Sequence, residues 1–221
     1  MMSSYKPATD MVFGYGGYIR EKGFLNKLIR FDSVFIAMQY MGFALAGTPY
    51  MGVGRNLSYK KNVFFKNKGF ARHAILNSGD DDLFVSETAH KNNVSINVEE
   101  HTRSKPKKTF TTWLFQKKRH QSTFALYKTK HKFLLILEPI SRFFFYFIIP
   151  VLLLLDIHIW IFVVPVFALR LIILVTAYYF STKTLKEQDL LLISPLFDFL
   201  FLFVELIIKI TKKPQRQLTW K

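Results

Sequence analysis

The 221-residue chain has no cysteine, so it can form neither a disulfide nor a thiolate metal site. Its first residues, MMSSYKPATDMVFGYGG, lack a continuous apolar run of the signal-peptide kind, and the polar part after them is expected to stay on the side where it is made. Acids are scarce: 15 Asp and Glu stand against 31 Lys and Arg, a formal net charge of +16. Phosphate-binding glycine fingerprints are missing too. GVGRNLS (52–58) has no third glycine at the required place and no Gly-Lys-Ser or Gly-Lys-Thr ending, so it reads as a close-approach turn. There is no internal repeat, and no motif that reads DNA or RNA.

What is present divides into two unequal parts. Residues 1–132 hold 22 Lys and Arg against 9 Asp and Glu, whereas residues 133–221 hold 9 against 6 and are dominated by Phe, Leu, Ile and Val. From Phe143 to Phe180 the chain is almost unbroken apolar, far longer than the roughly 20 residues one crossing helix needs. Asp156 and His158 mark a tight turn inside it, which predicts one span over 133/138–155 and a second over 157–180. A third segment, LLLISPLFDFLFLFVELII (190–208), is long enough to cross but carries Pro195, Asp198 and Glu205. Ten Lys and Arg in residues 101–132 precede the first span and place that flank in the cytoplasm. The basic tail KITKKPQRQLTWK prefers the same side, which favours two spans with 190–208 in the interface over three spans. Arg170 and Asp198 sit in apolar runs where unpaired charge is expensive; they mark either a functional groove or a pair that holds helices together.

In the first part, residues 10–18 read as a strand and 24–47 as a long helix. The helix has an apolar stripe of Leu25, Leu28, Val34, Phe35, Met38 and Met41 at core spacing. YMGVGRNLSYKKNVFF (50–65) reads as glycine-punctuated chain leading into a strand. Residues 80–93 read as a helix, 94–100 as an alternating strand, 101–108 as a linker, and 109–128 as a helix that Thr109 can cap.

Two constellations carry chemistry. Asp80, Asp81 and Asp82 stand side by side at a helix start. That is a favoured place for acids, but adjacent carboxylates also raise one another's pKa, which suits a general base working near neutral pH. On the last helix Trp113, Gln116 and His120 share a face, with Arg119 beside them, and such a face can hold an anionic leaving group. In this order, GDDDLFV and then TWLFQKKRH followed by membrane helices, the chain resembles membrane-bound family 2 glycosyltransferases of the processive type, related to cellulose, hyaluronan and poly-N-acetylglucosamine synthases.

The resemblance implies a partial, GT-A-like (Rossmann-like) α/β domain over 1–132 and a transmembrane helical region over 133–221. It implies inverting transfer from a nucleotide sugar to an acceptor hydroxyl at the cytoplasmic membrane face, in polysaccharide or glycolipid synthesis. Asp81 would be the base, tuned by Asp80 and Asp82. Gln116, Arg119, His120, Trp113 and the loop residue Asn56 would bind diphosphate and acceptor. The partners implied are a nucleotide sugar, a sugar or lipid-linked acceptor and membrane lipid, without nucleic acid, in a multi-pass inner-membrane protein.

The sequence departs from the family pattern twice. His120 stands where the family has Trp, which changes the stacking platform for the acceptor. The family's Asp-x-Asp half, which holds a divalent cation such as Mg or Mn, precedes the part that the resemblance covers, so metal ligands are not expected in this chain and the chain is not expected to turn over alone. The reading of another class is a non-catalytic, membrane-anchored basic protein that binds anionic lipid or nucleic acid.

Overall fold

In a computed structural model the described residues are 7–71 and 79–211. Strand β1 (Met11–Tyr18) is buried along its whole length and is the middle of a three-stranded sheet. It pairs antiparallel with the short β2 (Leu57–Tyr59) and parallel with β3 (Val94–Ser104). A strand covered on both faces reads as a continuous rather than an alternating apolar run, and MVFGYGGY has that character. The registers of β1 and β3 slip between Gly14 and Tyr15, where β3 bulges over residues 98–100. The Asn97 side chain closes this bulge by accepting the Glu99 and Glu100 amides at 3.0 and 2.9 Å.

Helix α1 (Phe24–Leu45) lies on the sheet and buries Leu28, Ile29, Phe31, Val34 and Tyr40. Of the expected stripe, Leu28, Val34 and Met41 are core, whereas Phe35 turns to a cavity wall. After β2 comes α2 (Lys61–Lys66), so residues 61–66 are helical. Helix α3 (Asp80–Thr88) ends five residues before the expected 93. There Asn93 closes a turn, its side chain accepting the His90 amide at 2.8 Å and donating to the Thr88 carbonyl at 3.1 Å. Residues 101–104, expected to be linker, continue β3 against β1. Helix α4 (Phe110–Gln121) begins at Thr109, whose hydroxyl accepts the Thr112 amide at 3.2 Å, and gives way to a 3-10 turn over Ser122–Leu126.

Helices α5 (Thr129–Leu155) and α6 (Trp160–Thr184) are long and apolar enough to cross a membrane, and only 6% of the apolar window of each is buried in protein. The turn expected at Asp156 is present, with the Asp156 carboxylate accepting the His158 amide at 2.9 Å. Helix α1 also satisfies length and apolarity, with half of its window buried. Helix α7 (Ser194–Ile210) has 17 residues, about 25 Å at ~1.5 Å per residue, which is short of the ~30 Å hydrocarbon core. It lays Phe197, Phe201, Val204 and Ile208 on the protein. Phe31 of α1 meets Tyr178, Phe197 and Phe201 with ring centroids 4.9–5.3 Å apart. Residues 212–221, most of the basic tail that bears on topology, lie outside the described residues.

Two charged clusters bind the layers together. Arg30 and Glu187 are completely buried and paired. Arg103 reaches Glu187 at 2.5 Å, and Arg30 reaches Asp189 at 2.6 Å. Among the apolar helices, Asp198 meets Arg170 at 3.1 Å, Arg142 at 3.3 Å and the Tyr146 hydroxyl at 3.0 Å. Arg170 and Asp198 are therefore partners, which is how charge is tolerated at such depth.

Candidate functional site

Helix α3 starts at Asp80 because Gly79 turns the chain through a left-handed conformation (φ 88°). A side chain at Gly79 would also run into Thr123, whose Cγ2 lies 1.9 Å from the position of a Cβ. The three acids thus occupy the first turn, where free amides and the helix dipole favour them. Their environments differ. Asp82 points inward, is buried, and accepts from the Tyr127 hydroxyl at 3.2 Å and the Thr123 hydroxyl at 3.5 Å. Burial, and then the neighbouring Asp81 charge, push its carboxyl up to about 8, against the pull of those two hydrogen bonds. Asp81 faces the cavity and accepts the Gly54 amide at 2.6 Å. A Cβ at 54 would sit 2.6 Å from the Asp81 carboxylate, so a larger residue there would push that side chain off the amide. Asp80 does not line the cavity; it is half-buried at the helix start.

Opposite stands α4. Trp113, Gln116, Arg119 and His120 all line the same cavity, of about 1060 Å³, as Asp81 and Asp82. Trp113 is buried against Phe110 and Phe201 and forms part of the floor. Gln116 donates to the Tyr18 hydroxyl at 3.1 Å, while its Oε1 is buried with no hydrogen-bond partner among the described residues. His120 lies in a concave wall. Desolvation, and then the Arg119 charge, lower the pKa of its ring, so it is neutral at pH 7. Its planar face and ring nitrogens thus stand on the cavity wall.

Asn56 does not line the cavity. Its amide donates to the carbonyls of Tyr15 and Glu100, both at 2.9 Å, and so stitches β1 to the bulge of β3. The loop it belongs to does reach the site through Val53, Gly54 and Arg55. Arg55 stacks over Tyr18, 4.3 Å from the ring centroid, and donates to the Gly17 carbonyl at 2.9 Å. Tyr18, Arg55, Thr123 and Tyr127 are site residues that sequence reasoning missed. Their partners lie tens of residues away, and no local spacing signals them.

Among the described residues no group of three or more His, Asp or Glu is arranged to hold a metal ion. One oxygen of Asp81 accepts the Gly54 amide and one oxygen of Asp82 accepts both hydroxyls, and no third acid or histidine among the described residues is arranged with them, so the residues present do not make up the ligand set of a divalent cation. Comparison with family models, curated proteins and solved structures finds no match for this chain.

Proposed function

We propose that the protein is the acceptor-side part of an inverting sugar transferase acting where the polar region meets the cytoplasmic face of the membrane, with a Rossmann-like affinity for the small sheet. One observation carries this reading: the acid turn and the α4 face, far apart in sequence, line one cavity beside apolar helices. In the reaction, Asp81 takes the proton of an acceptor hydroxyl as that oxygen attacks the anomeric carbon of a nucleotide sugar. The bond from that carbon to the diphosphate oxygen breaks, the configuration inverts, and the nucleoside diphosphate leaves toward the Arg119 guanidinium.

Asp82 has a distinct part. Burial keeps its carboxyl largely protonated near neutral pH, so it is not the group that takes the acceptor's proton. The orphaned Gln116 oxygen is a ready acceptor for a further hydroxyl of the incoming substrate. Neutral His120 offers a flat surface and a hydrogen bond without adding a charge.

The test uses membranes from cells expressing the protein at its native locus, supplied with α-linked nucleotide sugars labelled in the sugar. Label is expected in product with the β configuration, read by NMR of the anomeric proton. Retained configuration, or no incorporation from any uridine- or guanosine-diphosphate sugar, would overturn the reading.

A further inference from the structure

The cavity that holds the acids does not stop at them. From Asp81, Asp82 and His120 its walls run on along α5, past Ile136, Ile140 and Phe147, and along α7, past Phe203 and Leu206. This wall opens outward: Ile140 is 44% exposed, Phe147 45% and Leu206 54%. It belongs in part to α5, which has almost none of its apolar window buried in protein, so the opening faces acyl chains. From Ile136 to Phe147 the helix rises about 16 Å at ~1.5 Å per residue, about half of the ~30 Å hydrocarbon core. The groove is therefore one leaflet deep, in the leaflet next to the sheet region.

The charges at its polar end restrict the headgroup. Asp81, Glu138 and Glu205 line the cavity together with Arg55, Lys117, Arg119 and Lys209; Lys117 is bound to Asp32 at 2.5 Å, Arg55 is held on the Gly17 carbonyl and the Tyr18 ring, and Arg119 is the cation that the transferase reading gives to the departing diphosphate. A phosphate headgroup seated there would face the Asp81 carboxylate and compete with the departing diphosphate for Arg119, whereas a neutral hydroxyl would find an acceptor. We propose, resting on the transferase reading for the chemistry, that the groove between α5 and α7 binds one chain of a membrane lipid with a neutral, hydroxyl-bearing headgroup, and delivers that hydroxyl to Asp81 as the sugar acceptor. The acceptor then enters sideways from the bilayer.

The test reads binding rather than transfer. The purified full chain in phosphatidylcholine nanodiscs is irradiated with diacylglycerol bearing a diazirine in one acyl chain, and the labelled peptides are mapped by mass spectrometry. Label is expected on α5 and α7 and not on α6. Unlabelled diacylglycerol should displace it, and phosphatidic acid with the same chains should not. Ile140→Trp fills the groove and displaces roughly two methylenes of the chain, which predicts about a tenfold loss of labelling. Phe203→Trp repeats the test from the opposite wall, and Ile173→Trp on α6 should change nothing. Label spread evenly over the three helices, or full labelling of both groove variants, would refute the lipid groove. Competition by phosphatidic acid at the same concentration would refute the neutral headgroup. Groove labelling with no sugar incorporation by membranes carrying the protein at its native locus refutes the transferase reading alone.

Discussion

Helices α1 and α6 are both long and apolar enough to span a bilayer, yet they meet different surroundings. Half of the α1 window is buried in protein, against 6% for α6. Composition tells how apolar a helix is. It does not tell whether the apolar partner is a sheet or a lipid. The difference lies in what flanks each helix: α1 follows a strand fully buried by its neighbours and carries Arg30, Asp32 and Asn26 among its buried residues, whereas the buried residues of α6 are only Val163, Tyr178 and Thr182. Charge follows the same division. The sheet side is tied to the loop after α6 through Arg30, Glu187, Asp189 and Arg103, and the helical side through Arg142, Asp198 and Arg170.

The largest effect that would break this comparison is expected at the first cluster. Glu187→Ala leaves the buried Arg30 guanidinium with only the partly exposed Asp189 and should cost about 3 kcal/mol, read from tryptophan fluorescence during unfolding in detergent. A loss under about 1 kcal/mol, the value of a surface pair, would mean that the site is wet. Next comes the lipid face. Ile173→Lys in α6 should oppose membrane insertion by about 3 kcal/mol, whereas Leu45→Lys at the exposed end of α1 should stay within about 0.5 kcal/mol in a glycosylation-mapping assay. Equal costs at the two positions would erase the distinction between the helices.

A pH-dependent effect concerns Asp82. Below its ordinary 3.8 the carboxyl is protonated in folded and unfolded chains alike, and between there and about 8 only the folded chain keeps the proton. This group therefore makes stability fall as pH rises through that window, by at most ~1.4 kcal/mol per pH unit, and the fall levels off above it. Asp82→Asn removes the slope, so the variant should gain on the wild type between pH 5 and 8; parallel curves would show that Asp82 is ionised throughout. The smallest effect is at the start of α4. Thr109→Ala removes the hydroxyl that caps the helix and should cost about 1 kcal/mol without moving the acids.

Much of this was legible in the sequence because the signals are local. The apolar runs of α5 and α6, the Asp156 turn between them, the acids opening α3 and the Thr109 cap all depend on residues within a few positions of one another. The small sheet was legible in part: β1 stands out, but the continuation of β3 through residue 104 depends on pairing with a strand more than eighty residues earlier. Asn56 shows the same limit at the site. A polar residue on a glycine-rich loop beside an acidic motif looks like a ligand-binding residue, but the Tyr15 carbonyl of β1 and the Glu100 carbonyl of the distant bulge give its amide another use. The unequal roles of Asp81 and Asp82 were likewise hidden. Three identical side chains are separated by what Tyr127, Thr123 and the Gly54 amide do to them.

The most direct measurement is sugar incorporation by membranes carrying Asp81→Asn at the native locus, normalised to the amount of inserted protein. Loss of the proton acceptor predicts a fall of about 10²- to 10⁴-fold with insertion unchanged. Incorporation at the wild-type rate would contradict the account and leave the cavity without its base.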